Sequence, residues 1–600
     1  SIPERIEGAI GAFRDLGRFL DPHDRTASRD LMLDALDLVS AASPRPVRYS
    51  IETMGYDVEG VDPTRFADLV RVTGDPEANL FREFWETEVF PGLAREAPEV
   101  VGVSISVRQQ LLPGLMLARS LRARGHFVVI GGNLFTRFAG RLAELPEFFD
   151  VFADAVVVYE GETAILELLA RREGGRDLAG VPNLLSRDGR RVRVGPCHVE
   201  DVERLPTPDF DGMPLDQYLT PVRVLPLLTG KGCYWDRCRF CDIPFANRVS
   251  RVRYRQRRTE TVARDVRSLH ERFGCRHFFI GDEAVLPGAM AGLAEALEPE
   301  SPLGLSFGVY ARFEPGFTPE VCRAMAGMGV RKIFFGLESA SPDTLAHMDK
   351  GIDLAVVRRV LEGCEEAGIA VLVFSMIGFP EEDEASAERT IRFYEENADL
   401  LDRPASSVDV HLLEIQMRTP YAEEADRFGV VLPPGTLEAD FVVGVGTRWE
   451  GRRGIPRPKL AEIYRDAGRR LDRTYRRWHS WPSVLWPQHE EWSVVYGEGY
   501  ADRPFLPRVS LPEAGGRCRL RWNGAALVER EGGRSRVEGR RAAIELPEPL
   551  ERALVEPRSR TAEEILALLA EPGVGPDREA QEEAITGLVR SGLLQIAPDA

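Results

Sequence analysis

The 600-residue chain has an ordinary apolar fraction, 44%, but sets 95 acidic residues against 77 basic ones, for a formal net charge of −18. That balance excludes a general nucleic-acid binder, which would present a basic footprint, and no apolar run reaches the ~20 residues that cross a bilayer. Three of the 8 cysteines fall between positions 233 and 241, where a secreted disulfide framework would spread them. Residues 1–24 mix apolar with charged side chains, unlike a signal peptide. A cytoplasmic chain of about three to five domains is expected, with neither nucleic acid nor membrane as a partner.

Residues 1–90 read as a mostly helical N-terminal extension, with helices near 4–20 and 28–42. From 91 to 200 the pattern becomes strand–helix–strand. Val100–Ser106 is a buried-strand run (VVGVSIS), and Leu112, Leu115, Ala118 and Leu121 lay an apolar stripe along a helix over 112–124. Two more strands are expected at 127–130, before Gly131-Gly132, and at 154–159, before Glu160-Gly161-Glu162-Thr163. Strands alternating with helices imply a parallel sheet with ligands at its carboxyl ends. A proline-rich connector with a short hairpin fills 180–222.

Between 210 and 430 the alternation resumes, with strands expected at 224–229, 276–281, 304–310, 331–337, 370–377 and 408–415. Such units build a barrel or partial barrel whose chemistry sits at the carboxyl ends of the strands. Residues 431–510 read as helical and rich in arginine and tryptophan. They are either a nucleic-acid-reading surface or a helix whose aromatics pack on the barrel; the acidity of the chain favours the second. Residues 511–600 read as a β-meander followed by two helices. Asn523-Gly524 is a hairpin signal, Gly532-Gly533 a second turn, and Thr561 with Glu564 a capping box.

The chemistry centres on Cys233, Cys238 and Cys241, on a loop that follows the first barrel strand. Thiolates suit zinc or iron–sulfur clusters. Structural zinc wants four ligands, and no fourth Cys or His lies nearby in sequence. A 4Fe–4S cluster on three thiolates leaves one iron open to a substrate. The loop, with Phe240 before its last cysteine, resembles that of the radical S-adenosylmethionine superfamily. The superfamily's commonest spacing has three residues in the first gap, whereas this chain has four, Tyr234 to Arg237; the GCYWxRCxFCD form looks like a variant of it.

The resemblance implies roles at the later strand ends. Gly281-Asp282-Glu283 resembles the motif that binds the methionine amino group, through Glu283 or its neighbour Asp282; the alternative is a helix N-cap. Arg312 would hold the methionine carboxylate or instead pair with Glu314, and Tyr310 would line the substrate pocket. Glu338 and Ser339 would contact the cofactor's ribose or amino acid part, with helix capping as the alternative for Glu338. Ile377-Gly378 resembles the adenine-contacting stretch, where glycine lets a ring approach the backbone.

The upstream unit resembles cobalamin-binding domains, on Ser104 and Ser106, Gly131 and Gly132, and Glu160, Gly161, Glu162 and Thr163. It lacks an Asp-x-His-x-x-Gly motif, and His23 and His126 lack that context, so a histidine is not expected as lower axial ligand. The fold class expected is therefore α/β: a Rossmann-like cobalamin-binding domain, a partial (β/α)6 barrel of the TIM type, and a C-terminal α+β module that looks like a winged helix. That module resembles elements that clasp the leader of a ribosomally made peptide.

Together these resemblances imply a cobalamin-dependent radical enzyme that methylates an unactivated carbon of a peptide or small natural-product precursor. Its cofactors would be a 4Fe–4S cluster, S-adenosylmethionine and cobalamin, and its electron donor a flavodoxin or ferredoxin. The alternatives are a non-methylating radical rearrangement, oxidation or cyclisation, and a cobalamin- or metal-sensing DNA-binding regulator. Glu579, Glu582 and Glu583 in the last helical region argue against the regulator.

Overall fold

The computed structural model describes residues 2–50, 55–243, 251–403, 405–434, 436 and 449–475, and beyond these only strands between 519 and 597. The chain opens with α1 (Ile2–Arg14), α2 (Leu16–Leu20) and α3 (Pro22–Ala42), and a hairpin of β1 (Val47–Ser50) and β2 (Gly55–Val58) follows. Sequence reading missed that hairpin. It also left 47–90 in an N-terminal extension, yet Val47, Tyr56, Leu69, Val72 and Trp85 pack into one core with Leu112, Leu115 and Phe148 of the α/β unit.

That unit is a five-stranded sheet, β3 (Val100–Ser104), β4 (Phe127–Gly131), β5 (Ala155–Val157), β6 (Leu184–Asp188) and β7 (Arg191–Val194), paired in chain order. The first three strands are parallel, while β6 and β7 form an antiparallel hairpin that extends the sheet. The hairpin expected in the connector is thus part of this sheet. Alternation of side chains sorts the two faces. Val128, Ile130 and Val156 share a core with α4 (Phe66–Thr73), α5 (Leu111–Ala123) and α6 (Asn133–Ala143), whereas Val129, Ala155 and Val157 meet Ala164 and Leu168 of α7 (Glu162–Glu173). Helices on both faces make an α/β layering. The order of the sheet never reverses, so it holds no switch point of the Rossmann kind.

The second unit is a six-stranded, all-parallel sheet. Its strands are β8 (Val224–Leu227), β11 (His277–Ile280), β12 (Ser306–Arg312), β13 (Val330–Glu338), β14 (Ala370–Ile377) and β15 (Ser407–Leu412), again in chain order. Between the first two lies the short pair β9 (Gly230–Gly232) and β10 (Tyr254–Gln256). Phe278, Ile280, Phe307, Val309, Phe335, Leu337, Val371 and Val373 face the outer helices in one core, and each such burial contributes roughly 1.5–3 kcal/mol. The alternate positions, Phe279, Tyr310, Phe334 and Phe374 among them, face the lumen. Thr318, Ser341 and Asp383 each cap the following helix by accepting the backbone N–H three residues on, worth about 1 kcal/mol apiece.

A helix after the barrel, Arg457–Thr474, packs Leu460, Leu471 and Tyr475 into the barrel core. Arg470 on it pairs with Glu388 and Glu395 at 2.8 and 2.6 Å. Packing on the barrel is therefore what the described part of the arginine-rich segment does: Trp449 also lies in that core, and the segment's later tryptophans lie outside the described residues. Near the C-terminus the residues of the expected turn at Asn523-Gly524 lie outside the described residues. Strand Arg519–Trp522 pairs with Arg560–Thr561 and Leu594–Ala597, while Leu527–Glu531 pairs across Gly532-Gly533 with Arg534–Glu538. The two expected C-terminal helices lie outside the described residues.

Gly132 shows how tightly the α/β unit is built. Its φ is +111°, and an added Cβ would lie 2.3 Å from the Ile105 carbonyl oxygen. Gly132→Ala is expected to cost roughly 1–3 kcal/mol, read as a lowered melting temperature. Gly140→Ala, in a helix with open space around it, is expected to be neutral or to stabilise by up to about 1 kcal/mol.

Candidate active site

The cysteine loop leaves the barrel floor through β9. Among the described residues Cys233, Cys238 and Cys241 are free thiols, and Cys238 is buried. The loop is hung by its main chain. The amide of Cys241 donates to the Cys238 carbonyl at 3.3 Å, that of Arg239 to the Met348 carbonyl at 3.0 Å, and that of Tyr421 to the Arg239 carbonyl at 3.2 Å. The Trp235 indole donates to the Asp349 carbonyl at 2.7 Å. Gly351, at φ +68°, lies so close beneath that ring that a Cβ there would stand 2.1 Å from it.

Two buried cations flank the thiols. The Arg312 guanidinium lies 4.0 Å from the Cys238 sulfur, donates to the Lys350 carbonyl at 2.7 Å and to Glu314 at 3.1 Å, and stacks 4.5 Å over Trp235. Lys350 Nζ donates to Glu338 at 2.8 Å and lies 5.6 Å over Phe240. Burial works against that ammonium, but Glu338 and Cys238 outweigh it and hold its pKa up. Burial also pushes the Cys238 thiol up and Cys241 up to about 12, and Lys350 offsets part of both shifts. Metal ligands must be thiolates, so three free thiols beside buried cations suit an iron–sulfur cluster. Among the described residues no three His, Cys, Asp or Glu side chains gather around one ion-sized point.

The strand ends divide the expected residues. Glu283 is exposed toward the loop and accepts from the Gly232 amide at 3.1 Å. Its neighbour Asp282 is fully buried, and both its oxygens are taken by Thr229 at 2.8 and 2.5 Å. Asp282 therefore ties two strands together, and Glu283 is the carboxylate offered to a ligand. Gly281 continues β11 by donating to the Leu227 carbonyl. Tyr310 faces the lumen among Phe279, Phe334 and Phe374. Arg312 forms the expected alternative pair with Glu314 while also holding the loop.

Glu338 sits at φ +67° beyond a bulge in β13. Ser339 turns away into a buried web with Thr390 and the Ser341 amide, both at 3.1 Å. Ile377 points to the helix-side core. What approaches Gly378 is Leu460, 2.4 Å from where a Cβ would be. The side chains of Ser339 and Ile377 thus serve the scaffold, because strand alternation turns them from the lumen.

A cleft of about 610 Å³ lies between the two units. Ser104, Gly131, Gly132, Glu160 and Gly161 line it, as do Lys231, Gly232, Arg255, His198 and Glu283 from beyond the sheet. Ser106, Glu162 and Thr163 do not. Ser106 bonds Gln110 through its amide at 2.8 Å, Glu162 begins α7, and Thr163 bonds Glu200 at 2.8 and 2.9 Å. Glu160 is buried and already paired. It accepts from Arg255 at 2.9 Å, from Lys231 at 3.2 Å and from the Glu200 amide at 2.6 Å. Burial opposes its charge, but these partners hold its pKa low. Glu160 thus fastens the α/β unit to the strand that carries Cys233. Bare glycines at 102 and 131 leave strand backbone open to a flat ligand, and Gly132 and Gly161 border it at the helix starts, so the wall fits a corrinoid. Sequence reading missed Lys350, Lys231, Arg255 and His198. The first lies in an unremarked turn, Asp349-Lys350-Gly351, and the others are isolated basic residues whose meaning comes from across the cleft.

The model of the Radical SAM superfamily matches residues 227–394. These residues form a radical S-adenosylmethionine domain. A domain of this kind implies a 4Fe–4S cluster and S-adenosylmethionine as its cofactors. It is 27% identical over 383 residues to an uncharacterized methyltransferase of Pyrococcus horikoshii, covering 59% of this chain and 78% of that one. It is 28% identical over 206 residues to bacteriochlorophyllide d C-12(1)-methyltransferase of Chlorobaculum tepidum, covering 34% of this chain and 42% of that one. The fold is similar to that of TsrM from Kitasatospora setae, a radical S-adenosylmethionine methyltransferase solved with cobalamin and a 4Fe–4S cluster bound. The TM-score is 0.51 at 20% identity, covering 66% of this chain and 81% of that one.

Two outcomes test this geometry. Cys238→Ser is expected to lower iron content after anaerobic reconstitution and to abolish S-adenosylmethionine cleavage. Burial pushes the Asp282 carboxyl up to about 7, above its ordinary value of ~3.9 in an unfolded chain. The folded state then favours the protonated form, and its contribution to stability is lost as pH rises from about 4 through 7. Across that window denaturant melts of the wild type are expected to lose stability relative to Asp282→Asn.

Proposed function

We propose that the chain is a cobalamin-dependent radical S-adenosylmethionine methyltransferase acting on an unactivated carbon of a peptide or small natural-product precursor. The observation that carries this reading is the cleft: its glycine-lined wall faces Lys231, Gly232 and Glu283, and Gly232 precedes the first cysteine. A corrinoid on that wall and a cluster on Cys233, Cys238 and Cys241 would share one chamber. The methyltransferase names of the two relatives and the cobalamin in TsrM support it. When bound, the cofactors supply the electron, the radical and the methyl group.

The chain's own residues bind and orient. Glu283 faces the methionine ammonium, a charge-assisted pairing in a partly dry site. Arg312 and Lys350 keep the cluster loop fixed and offset part of the cost of ionising its sulfurs, and Glu338 reaches the ribose or amino acid part. Tyr310 lines the substrate chamber. A flavodoxin or ferredoxin delivers electrons in the cytoplasm, and the C-terminal module, if winged-helix-like, clasps a peptide leader. Rearrangement, oxidation or cyclisation without methylation would use the same loop but leave the cleft without work.

Anaerobic reconstitution with cobalamin and methyl-labelled S-adenosylmethionine, with candidate precursor peptides from the same genomic neighbourhood, tests the proposal. The expected result is 5′-deoxyadenosine together with label on a product carbon. 5′-Deoxyadenosine with an unlabelled product would favour the non-methylating reading, and its absence would sink the enzyme reading.

A further inference from the structure

The sixth barrel strand carries a polar pair for which the cofactor chemistry has no use. Val408 and Val410 belong to the helix-facing core, so Asp409 and His411 face the lumen. Register sets Asp409 beside Phe374 and His411 beside Met376 of β14. His411 Nε2 and Asp409 Oδ2 lie 2.8 Å apart. Asp409 is 6% exposed, and its other oxygen, Oδ1, is buried with no hydrogen-bond donor among the described residues. Such an orphaned buried acceptor is unfavourable unless something else uses it. A carboxylate bonded through one oxygen alone concentrates its charge on that one donor, here the imidazole. With Nε2–H turned to Asp409, Nδ1 is the nitrogen left for a ligand, and the ring is 38% exposed.

The surroundings say what that ligand is. Phe279, Tyr310, Phe334 and Phe374, from four adjacent strands, form an aromatic floor with ring centroids 5.2–6.4 Å apart. All but Phe334 are half-buried and open to the lumen. Burial alone would disfavour a charged imidazole, but Asp409, Glu338 and Glu414 act on it and together raise its pKa. The nearby cation Lys350 is spent on Glu338. An anionic ligand would meet three carboxylates, whereas a neutral carbonyl takes a charge-assisted hydrogen bond without that repulsion.

We propose that His411, positioned by Asp409, binds the carbonyl oxygen of a neutral amide in the substrate while a planar or apolar group of the same molecule lies on the aromatic floor. The proposal rests on the methyltransferase reading and deepens it by naming the substrate class.

Phenylacetamide and its anionic counterpart phenylacetate serve as probes. Each is titrated into the reconstituted full chain labelled at histidine and read by NMR, with the His411 resonance identified by its loss in His411→Gln. Phenylacetamide is expected to shift that resonance saturably, and phenylacetate to bind about tenfold or more weakly. Affinity for the amide is expected to fall as pH rises through the imidazole pKa, and about tenfold in Asp409→Asn. Equal affinity in Asp409→Asn, a preference for phenylacetate, or an unmoved His411 resonance overturns the proposal. 5′-Deoxyadenosine formation is measured on the same preparation. Amide binding without it upholds this site and overturns the methyltransferase reading; turnover without amide binding overturns the site alone.

Discussion

Three thiols on one loop hold a cluster only if the loop stays in one conformation, and here other parts of the chain impose that conformation. The main-chain bond from Arg239 to Met348 and the indole bond from Trp235 to Asp349 fasten the loop to the segment after the fourth strand, and the bond from Tyr421 to Arg239 fastens it to the segment after the sixth. Arg312 and Lys350 supply buried positive charge beside it. From the other side, Glu160 grips Lys231 and Arg255. Glu160 is buried while its cationic partners are partly exposed, so losing one of them costs less than the ~3–5 kcal/mol of a fully buried pair. Loop position, barrel rim and domain docking therefore depend on each other.

The barrel was legible because its strands are apolar runs separated by amphipathic helices, and all six fall where that pattern puts them. What the pattern leaves open is which face a motif residue takes. Asp282 and Glu283 are neighbours with opposite fates, one fully buried under Thr229 and one exposed to the cleft. Ser339 and Ile377 sit in motif-like stretches yet turn to the scaffold. Glu338 reaches the lumen through a bulge and a positive φ that no spacing announces. Lys350 carries no motif of its own, and its meaning is three-dimensional.

The two units divide the labour. The α/β sheet offers bare glycine backbone, and the barrel offers charge and aromatic surface. The cleft between them borders the loop that carries the cysteines.

The central claim is that Cys233, Cys238 and Cys241 hold a cluster with one iron open to S-adenosylmethionine. Electron paramagnetic resonance of the reduced, reconstituted protein tests it most directly. The account predicts a 4Fe–4S signal whose g-values shift when S-adenosylmethionine is added. A signal unmoved by S-adenosylmethionine, or no cluster signal at all, would contradict it.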